Sequence, residues 1–336
     1  MVTLKQIAAK ADVSVRSVSV VLNGKAVEGR ISPMVAQKIL NIATELNYRP
    51  NSMARAIRMK KTFQIGVLVR ELATPSTGKK IEAIEHNLLS NGYKLLLGLT
   101  NGSLEVAKSY LSDFSNGMVD GILNLDPLVD TQTFQAARVT VPYLHFLRPS
   151  PDFSVRFDYF KGLWIATDYL WGFGHRKIGF ISGPKGDSGS QERIQGFKAF
   201  LEKHSKTGYT QWIEFGDWSF QSGKRCAPRL LEKGCTAIIG ANDLMTVGAM
   251  KAVQASGLKI PEQISVCGFD DSLIAEMATP PLCSVRIPVE ELARLSVDAL
   301  MAHISEQPSK EAVLVEPVLA VRDSIAPIRP DRGRAR

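Results

Sequence analysis

Residues 3–23 read TLKQIAAKADVSVRSVSVVLN. Thr3 and Gln6 stand three apart as a capping box, and Leu4, Ile7, Ala8 and Ala11 recur at helical spacing, so a helix of about two turns opens the chain. Asp12-Val13-Ser14 interrupts it. Ser14 can cap a second helix that carries Val15, Val18, Val21 and Leu22 on one side and Arg16, Val20 and Asn23 on another. Two short helices joined by a tight turn form a helix-turn-helix, in which the second helix is sized for the major groove of B-form DNA while the first holds it across the backbone.

The charge distribution points the same way. Residues 1–61 hold eleven Lys or Arg against Asp12, Glu28 and Glu45, a net charge of +8. The whole chain of 336 residues is also +8, so everything after residue 61 sums to zero. A cationic head on a neutral body is the electrostatic footprint of nucleic-acid binding. Ser32-Pro33 then starts a third helix, with Val35, Ile39, Ala43 and Leu46 as its apolar face, and Asn47 and Pro50 end it. Asn51-Ser52 can cap a short segment over residues 53–58, which places Ile57 among basic residues and reads as a hinge.

From Gln64 the period changes. Strand-length apolar runs alternate with amphipathic stretches: residues 65–69 then 81–89, 93–99 then 106–114, 121–125 then 134–139, and 143–147. After a polar link near residues 148–157 the alternation resumes with helix 161–170, strand 177–182, helix 193–201, strand 237–240, helix 244–255 and strand 264–269. This pattern predicts parallel sheets flanked by helices, arranged as two doubly wound subdomains. Ligands of such sheets bind beyond the carboxyl ends of the strands, so the cleft between the subdomains is the expected ligand site.

Other classes find little support. An apolar content of 45% supplies buried cores, yet no run reaches the roughly 18 apolar residues of a membrane span, and the N-terminus lacks a leader pattern; a cytoplasmic location is expected. Cys226, Cys235, Cys267 and Cys283 show neither CxxC nor metal spacing and read as reduced core residues. Thr77-Gly78-Lys79-Lys80 lacks the earlier glycine and the final Ser or Thr of a phosphate loop. Gly172-Phe173-Gly174 lacks a third glycine, and no GxSxG elbow occurs. The five histidines form no metal pair, and His175 in FGHRKIGF reads as a turn and packing residue. Neither an enzyme nor a cofactor is expected.

Several motifs in order, TLKQIAAKADVS with SVVLNG, LNYRPNSMARAIR, IGVLV, NGYKLLL, VDGIL, FGHRKIGFISGP, ERIQGF, ANDLMTVGAM, ISVCGFDD and PPLCSVRIP, resemble the lactose-repressor-type (LacI/GalR) family of transcriptional regulators over almost the whole chain. The resemblance implies an all-α helix-turn-helix head (1–50), a hinge helix and linker (51–61), a periplasmic-binding-protein-like core of two doubly wound parallel-sheet subdomains (62–325) and a disordered Pro- and Arg-rich tail (326–336). It implies that Val15 and Arg16 read bases, that Ser17 and Ser19 meet phosphate or base, and that Val20, where relatives carry Arg or His, meets a thymine methyl. Thr3, Asn23 and Asn51 complete the DNA-facing set, Asn23 serving as a contact or as a cap. In the hinge, Ile57 would wedge open the central base step of the minor groove. Ala54 would let two hinge helices approach, and Arg55 and Arg58 would hold phosphates.

For the core, the resemblance places Arg193, Asp270 and Trp218 around a sugar or sugar derivative: a guanidinium fork, a carboxylate acceptor and an indole face suit a polyol. Asn242 would contact ligand while Asp243 caps the following helix, and Asp158 either touches ligand or fixes the turn at the subdomain crossover. Two departures from the family pattern stand out. Ala73-Thr74-Pro75-Ser76-Thr77 replaces a stretch that carries aromatic residues, and Leu147 replaces an aspartate. Ser76 and Thr77 could donate hydroxyl contacts instead, and Arg148 could face an anionic group. The implied function is a ligand-responsive repressor of carbohydrate or related catabolic genes that binds a palindromic operator as a homodimer. Its dimer face would include residues 81–89, and there is no tetramerising heptad run. A cytoplasmic small-molecule sensor acting through a non-DNA partner is the alternative.

Overall fold

The computed structural model describes residues 2–24, 26–49, 56, 59–148, 155–204, 210–307 and 312–328. The chain divides into two compact units, residues 1–62 and 63–336. Asn51, Ala54, Arg55, Ile57 and Arg58, the expected hinge contacts, lie outside the described residues.

The first unit contains α1 (Leu4–Ala11), α2 (Val15–Leu22) and α3 (Pro33–Glu45). The capping box forms as read: the Thr3 N–H donates to Gln6 Oε1 at 2.8 Å, and the Gln6 N–H returns to Thr3 Oγ1 at 3.4 Å. Asp12 ends α1 in the left-handed region, with φ 58°, which turns the chain into the Ser14 cap of α2. Ser14 Oγ accepts the Ser17 N–H at 3.0 Å. A small core of Ile7, Ala8, Ala11, Val18, Val21, Ile39, Ile42 and Ala43 closes the bundle. Val15 departs from the expected inner side of α2 and stands 40% exposed at its first position, while Val18 and Val21 are the α2 residues that reach the core. Removing the cap in Ser14→Ala is expected to cost about 1 kcal/mol. In the full chain that reads as roughly fivefold faster amide exchange across α2, and unchanged exchange would refute the cap's role.

In the second unit, β1 (Gln64–Val69), β2 (Lys94–Leu99), β3 (Gly121–Asn124) and β4 (Tyr143–His145) form a parallel sheet in the order β2-β1-β3-β4. Helices cover both faces, so strand residues such as Ile65, Val67 and Leu68 are apolar without alternation. One covering helix is α4 (Pro75–Ser90), which starts six residues earlier than the apolar period suggests, since Pro75 occupies its first turn. It turns Ile84 and Leu88 into the chain's own core and leaves Leu89 exposed.

The second sheet runs β12-β10-β9-β8-β6-β7. It comprises β6 (Ile178–Ser182), β7 (Ile213–Phe215), β8 (Ala237–Gly240), β9 (Ser265–Asp270), β10 (Cys283–Arg286) and β12 (Val318–Ala320), all parallel except the β10–β12 pair. A two-stranded parallel ladder of β5 (Val155–Phe157) and β11 (Val313–Val315) lies where the chain passes between the lobes. The crossover is not the single passage expected near residues 148–157. Helix Val289–Ile304 returns to the first lobe and packs on α4, β3 and β4, its Leu300 and Ile304 side chains lying 3.2 and 3.0 Å from where a Cβ on Gly121 would stand. The chain then re-enters the second lobe through β11 and β12.

Residues 326–328, assigned from sequence to the disordered tail, are docked on the second lobe. Ala326 accepts a hydrogen bond from Ser265 Oγ at 3.2 Å, and the Ile328 N–H donates to Phe173 at 3.0 Å, so the docked chain extends through Ile328. His175 is the packing residue anticipated: 2% exposed, it bonds Thr236 Oγ1 at 2.9 Å and Ser265 Oγ at 3.0 Å. The four cysteines are free and buried. Among the described residues no helix is long and apolar enough to cross a membrane.

Candidate functional site

Two surfaces carry the chemistry singled out above, one in each unit. On the head, α2 exposes Val15 and Arg16, with Ser17, Ser19 and Val20 half-buried beside them. Three of the expected DNA-facing side chains are engaged locally. Thr3 is tied to Gln6, the Ser17 hydroxyl shares a 2.9 Å hydrogen bond with Ser14, and the Asn23 amide donates to the Ser19 carbonyl at 2.6 Å. Asn23 is therefore the C-cap of α2. Arg16 makes no such contact with its own helix among the described residues, so its guanidinium projects from the first turn with its donors available.

The second surface is a cavity of about 210 Å³. It is lined from the carboxyl ends of β1, β3, β4, β6, β7, β8 and β9, which is where parallel sheets leave strand ends and helix starts facing a common space. Ser76, Thr77, Arg148, Arg193, Trp218, Asn242 and Asp270 all line it. Asp158 does not. Its carboxylate accepts the Lys161 N–H at 2.8 Å as the cap of helix Tyr159–Gly172, and its own N–H donates to Val315 at 3.1 Å. Of the two alternatives for Asp158, the structure places it as the residue that pins the crossover.

Arg193 projects from helix Ser188–His204 and is 5% exposed. Its guanidinium carbon lies 4.0 Å from the Tyr159 ring centroid, 4.4 Å from Phe269 and 5.4 Å from Trp218. One amine donates to the Gly189 carbonyl at 3.0 Å, while Nε is buried without a partner. Stacking holds the fork flat and leaves it donors for a ligand. Burial pushes the Tyr159 hydroxyl up to about 12, so it stays a neutral donor beside that cation.

Asp270 ends β9 with φ 104°, a left-handed conformation that is strained for a residue with a side chain. Among the described residues no hydrogen bond or ion pair reaches its carboxylate. The strain is held from beneath by Asp243, which is 1% exposed. Asp243 accepts from Ser272 N and Oγ at 2.7 and 2.8 Å and from Ser284 Oγ at 2.6 Å, fixing the turn after Asp270. Burial, and then the charge of Asp270, push the Asp243 carboxyl up to about 7.

This arrangement moves the expected capping role in ANDLM from Asp243 to Asn242, which also lines the cavity. Asn242, not Asp243, caps helix Asp243–Ala255: its Oδ1 accepts the Met245 N–H at 2.8 Å and its Nδ2 donates to the Trp218 carbonyl at 3.1 Å. The amide touches the cavity but is spent on holding the Trp218 loop. Asn242 has the extended backbone of an N-cap, while Asp243 is already helical and turns down into the serine pocket.

The residue that sequence reasoning missed is Lys80. It lies one turn beyond Ser76 and Thr77 on the same face of α4 and lines the cavity with them. That spacing is legible within TPSTGKK, residues 74–80. Burial lowers the Lys80 pKa, against an opposing pull from Asp270 and with a further push from Arg193. Arg148 reaches the cavity with its amines on the carbonyls of Asp126 (2.7 Å) and Pro127 (3.1 Å). Phe146 and Leu147 add an apolar patch where an aspartate was noted as lost.

Comparison with known proteins places these features. A family model described as bacterial regulatory proteins, lacI family, matches residues 3–51, and one described as a periplasmic binding protein-like domain matches residues 167–325. The chain is 31% identical to the ribose operon repressor of Haemophilus influenzae over 335 residues, covering 97% of this chain and 99% of that one. It is 30% identical to the HTH-type transcriptional repressor PurR of Vibrio vulnificus, covering 98% and 100%. Among solved structures it resembles the lac repressor dimer bound to operator and the anti-inducer ONPF, with TM-score 0.83, 27% identity and coverage of 97% and 99%. It also resembles the lac repressor bound to ONPG in a repressed state, with TM-score 0.85, 28% identity and coverage of 96% and 99%.

Proposed function

The chain belongs to the lacI family of bacterial regulatory proteins, which are transcriptional regulators and not enzymes, and from that premise we propose that it is a repressor of carbohydrate or related catabolic genes whose hold on a palindromic operator is set by a small-molecule effector. The observation that carries this reading is the confinement of all net charge to residues 1–61, the three-helix head and the segment that follows it, with a second helix whose Arg16 has no partner among the described residues, ahead of a neutral core with a ligand-sized cavity. The protein acts as a cytoplasmic homodimer, so that two heads meet the two half-sites of an inverted repeat.

In this reading Arg16 donates in parallel to guanine O6 and N7, Val15 and Val20 lie against base edges, and Ser17 and Ser19 approach the backbone. Residues 54–58 enter the minor groove, with Ile57 as the wedge and Arg55 and Arg58 on phosphates. The effector, a sugar or sugar derivative, is held by Arg193 and Asp270 with Trp218 and Tyr159 against its C–H face. Binding across two lobes that the chain joins by several passages biases their closure, and that two-state element controls whether the segment over residues 51–61 becomes helical on DNA.

Mobility-shift titration against an inverted-repeat operator and a scrambled duplex tests the reading. Arg16→Ala is expected to weaken operator binding by about 1–3 kcal/mol and to relax preference at one base pair of each half-site. Equal affinity for operator and scrambled duplex in the parent protein would rule the proposal out.

A further inference from the structure

We propose that the effector is an anionic sugar derivative, with its carboxylate or phosphate seated on the first lobe against Lys80, Arg148 and the Ser76 hydroxyl while its hydroxyls face Arg193 and Asp270. This rests on the ligand-controlled reading above and narrows the class of ligand.

The argument is one of charge compensation among the groups that line the cavity. Among the described residues Lys80 has no hydrogen bond or ion pair, although it is half-buried. Arg148 donates to two main-chain carbonyls, and among the described residues no carboxylate is in ion-pair contact with it. Arg193 rests on aromatic rings and one carbonyl. Lys80, Arg148 and Arg193, with Arg70 at the rim, thus line the cavity, and among the described residues none of them has a carboxylate in contact. The acids around them are mostly committed elsewhere: Asp187 caps Ser190 at 2.8 Å, and Glu192 lies 3.6 Å from Arg156. Glu71 and Asp270 also line the cavity, and among the described residues neither forms an ion pair with Lys80.

An unpaired buried cation is costly, and the cost falls when an anion brings charge and acceptors to it. Position favours the first lobe as the place for that anion. Ser76 and Lys80 come from one face of α4, whose cap residue Thr74 makes no side-chain cap bond, and Arg148 follows β4 in the same lobe. Asp270 belongs to the second lobe, so a ligand that offers an anion to one wall and hydroxyl donors to the other meets complementary partners on both. A neutral sugar would leave Lys80 unanswered.

The test uses the full-length protein, thermal-shift and calorimetric titration, and matched probes at constant ionic strength. The carboxylate arm takes D-gluconate, D-galactonate and D-ribonate, and the phosphate arm takes glucose 6-phosphate and ribose 5-phosphate. The neutral arm takes D-glucose, D-galactose and D-ribose. At least one anionic probe is expected to raise the melting temperature where its neutral parent does not, and the responding arm identifies the source of the charge. Lys80→Met should weaken that probe by about tenfold to a hundredfold, and Lys80→Arg should restore most of the loss. The proposal is overturned if no anionic probe binds better than its neutral parent. It is likewise overturned if Lys80→Met weakens charged and neutral probes equally, which would make Lys80 a counter-ion for Asp270. Operator titration in the same samples reads the two ideas apart. An acid that binds without changing operator affinity removes the switch and keeps the ligand class, whereas a neutral sugar that changes operator affinity does the opposite.

Discussion

Gly223→Val is expected to leave the second lobe unable to fold at ordinary temperature. Gly223 lies in helix Phe220–Glu232, which packs against helix Asp243–Ala255. A Cβ added there would stand 1.8 Å from the Met245 carbonyl oxygen, and one on the facing Gly248 would stand 2.1 Å from the Phe220 carbonyl oxygen. Both obstacles are backbone, so no side chain can rotate aside. The helices would have to separate and draw Cys226, Ala227, Leu230, Ala249 and Val253, all fully buried, away from their neighbours. Overpacking of this kind costs about 3 kcal/mol or more, a large part of a typical stability of roughly 5–15 kcal/mol. The check is a urea unfolding midpoint for the purified variant, read beside Gly172→Ala. Gly172 has nothing within 4 Å of its would-be Cβ, so alanine there should be neutral or stabilise by up to about 1 kcal/mol. A soluble Gly223→Val protein with the parental midpoint would show that the helix contact is not as close as described.

Asp270→Ala is expected to remove the response to effector. Among the described residues no hydrogen bond or ion pair reaches this carboxylate, which lies near Lys80 and Arg193 and is held in a strained backbone by the Asp243 network, as suits an acceptor aimed at a ligand. Loss of one partner of a desolvated charged contact costs about 2–5 kcal/mol, or roughly thirtyfold to several thousandfold in affinity. Asp270→Asn keeps the shape, removes the charge and should fall close behind. Calorimetry with a binding probe measures the loss, and operator titration without probe reports whether the fold survives the change. Parental affinity in both variants would remove Asp270 from the site.

These two positions also show how far the sequence could be read. The residues lining the cavity were largely anticipated from a motif resemblance: Arg193 and Asp270 sit at a helix start and a strand end that the alternation of apolar runs already located, whereas Trp218 came from the resemblance alone. Helix Phe220–Glu232 escaped the apolar period because Gly223 and Pro228 are both poor helix formers, one retained for close packing and the other tolerated inside the helix. Lys80 escaped because its meaning depends on Asp270, which arrives from the opposite lobe. Val15 was assigned to the inner side of α2 by periodicity, yet a two-turn helix has too few repeats to say where its apolar stripe leaves the core.

What the sequence by itself determined is what hydrogen bonds and side-chain periods settle over a few residues: the Thr3–Gln6 box, the Ser14 and Ser32 caps, strands β1 to β4, β6, β8 and β9, and the segregation of charge onto residues 1–61. Each depends on neighbours within one or two turns, or on a count that needs no coordinates. The tertiary structure alone decided that helix Val289–Ile304 returns to the first lobe, that Asn242 rather than Asp243 caps its helix, and that Lys80, Arg148 and Arg193 share a cavity with the Asp270 carboxylate. Those outcomes are set by desolvation and packing between segments far apart in the chain. Either Asn or Asp can cap a helix in isolation, and only the buried serines beneath Asp243 determine which of them does.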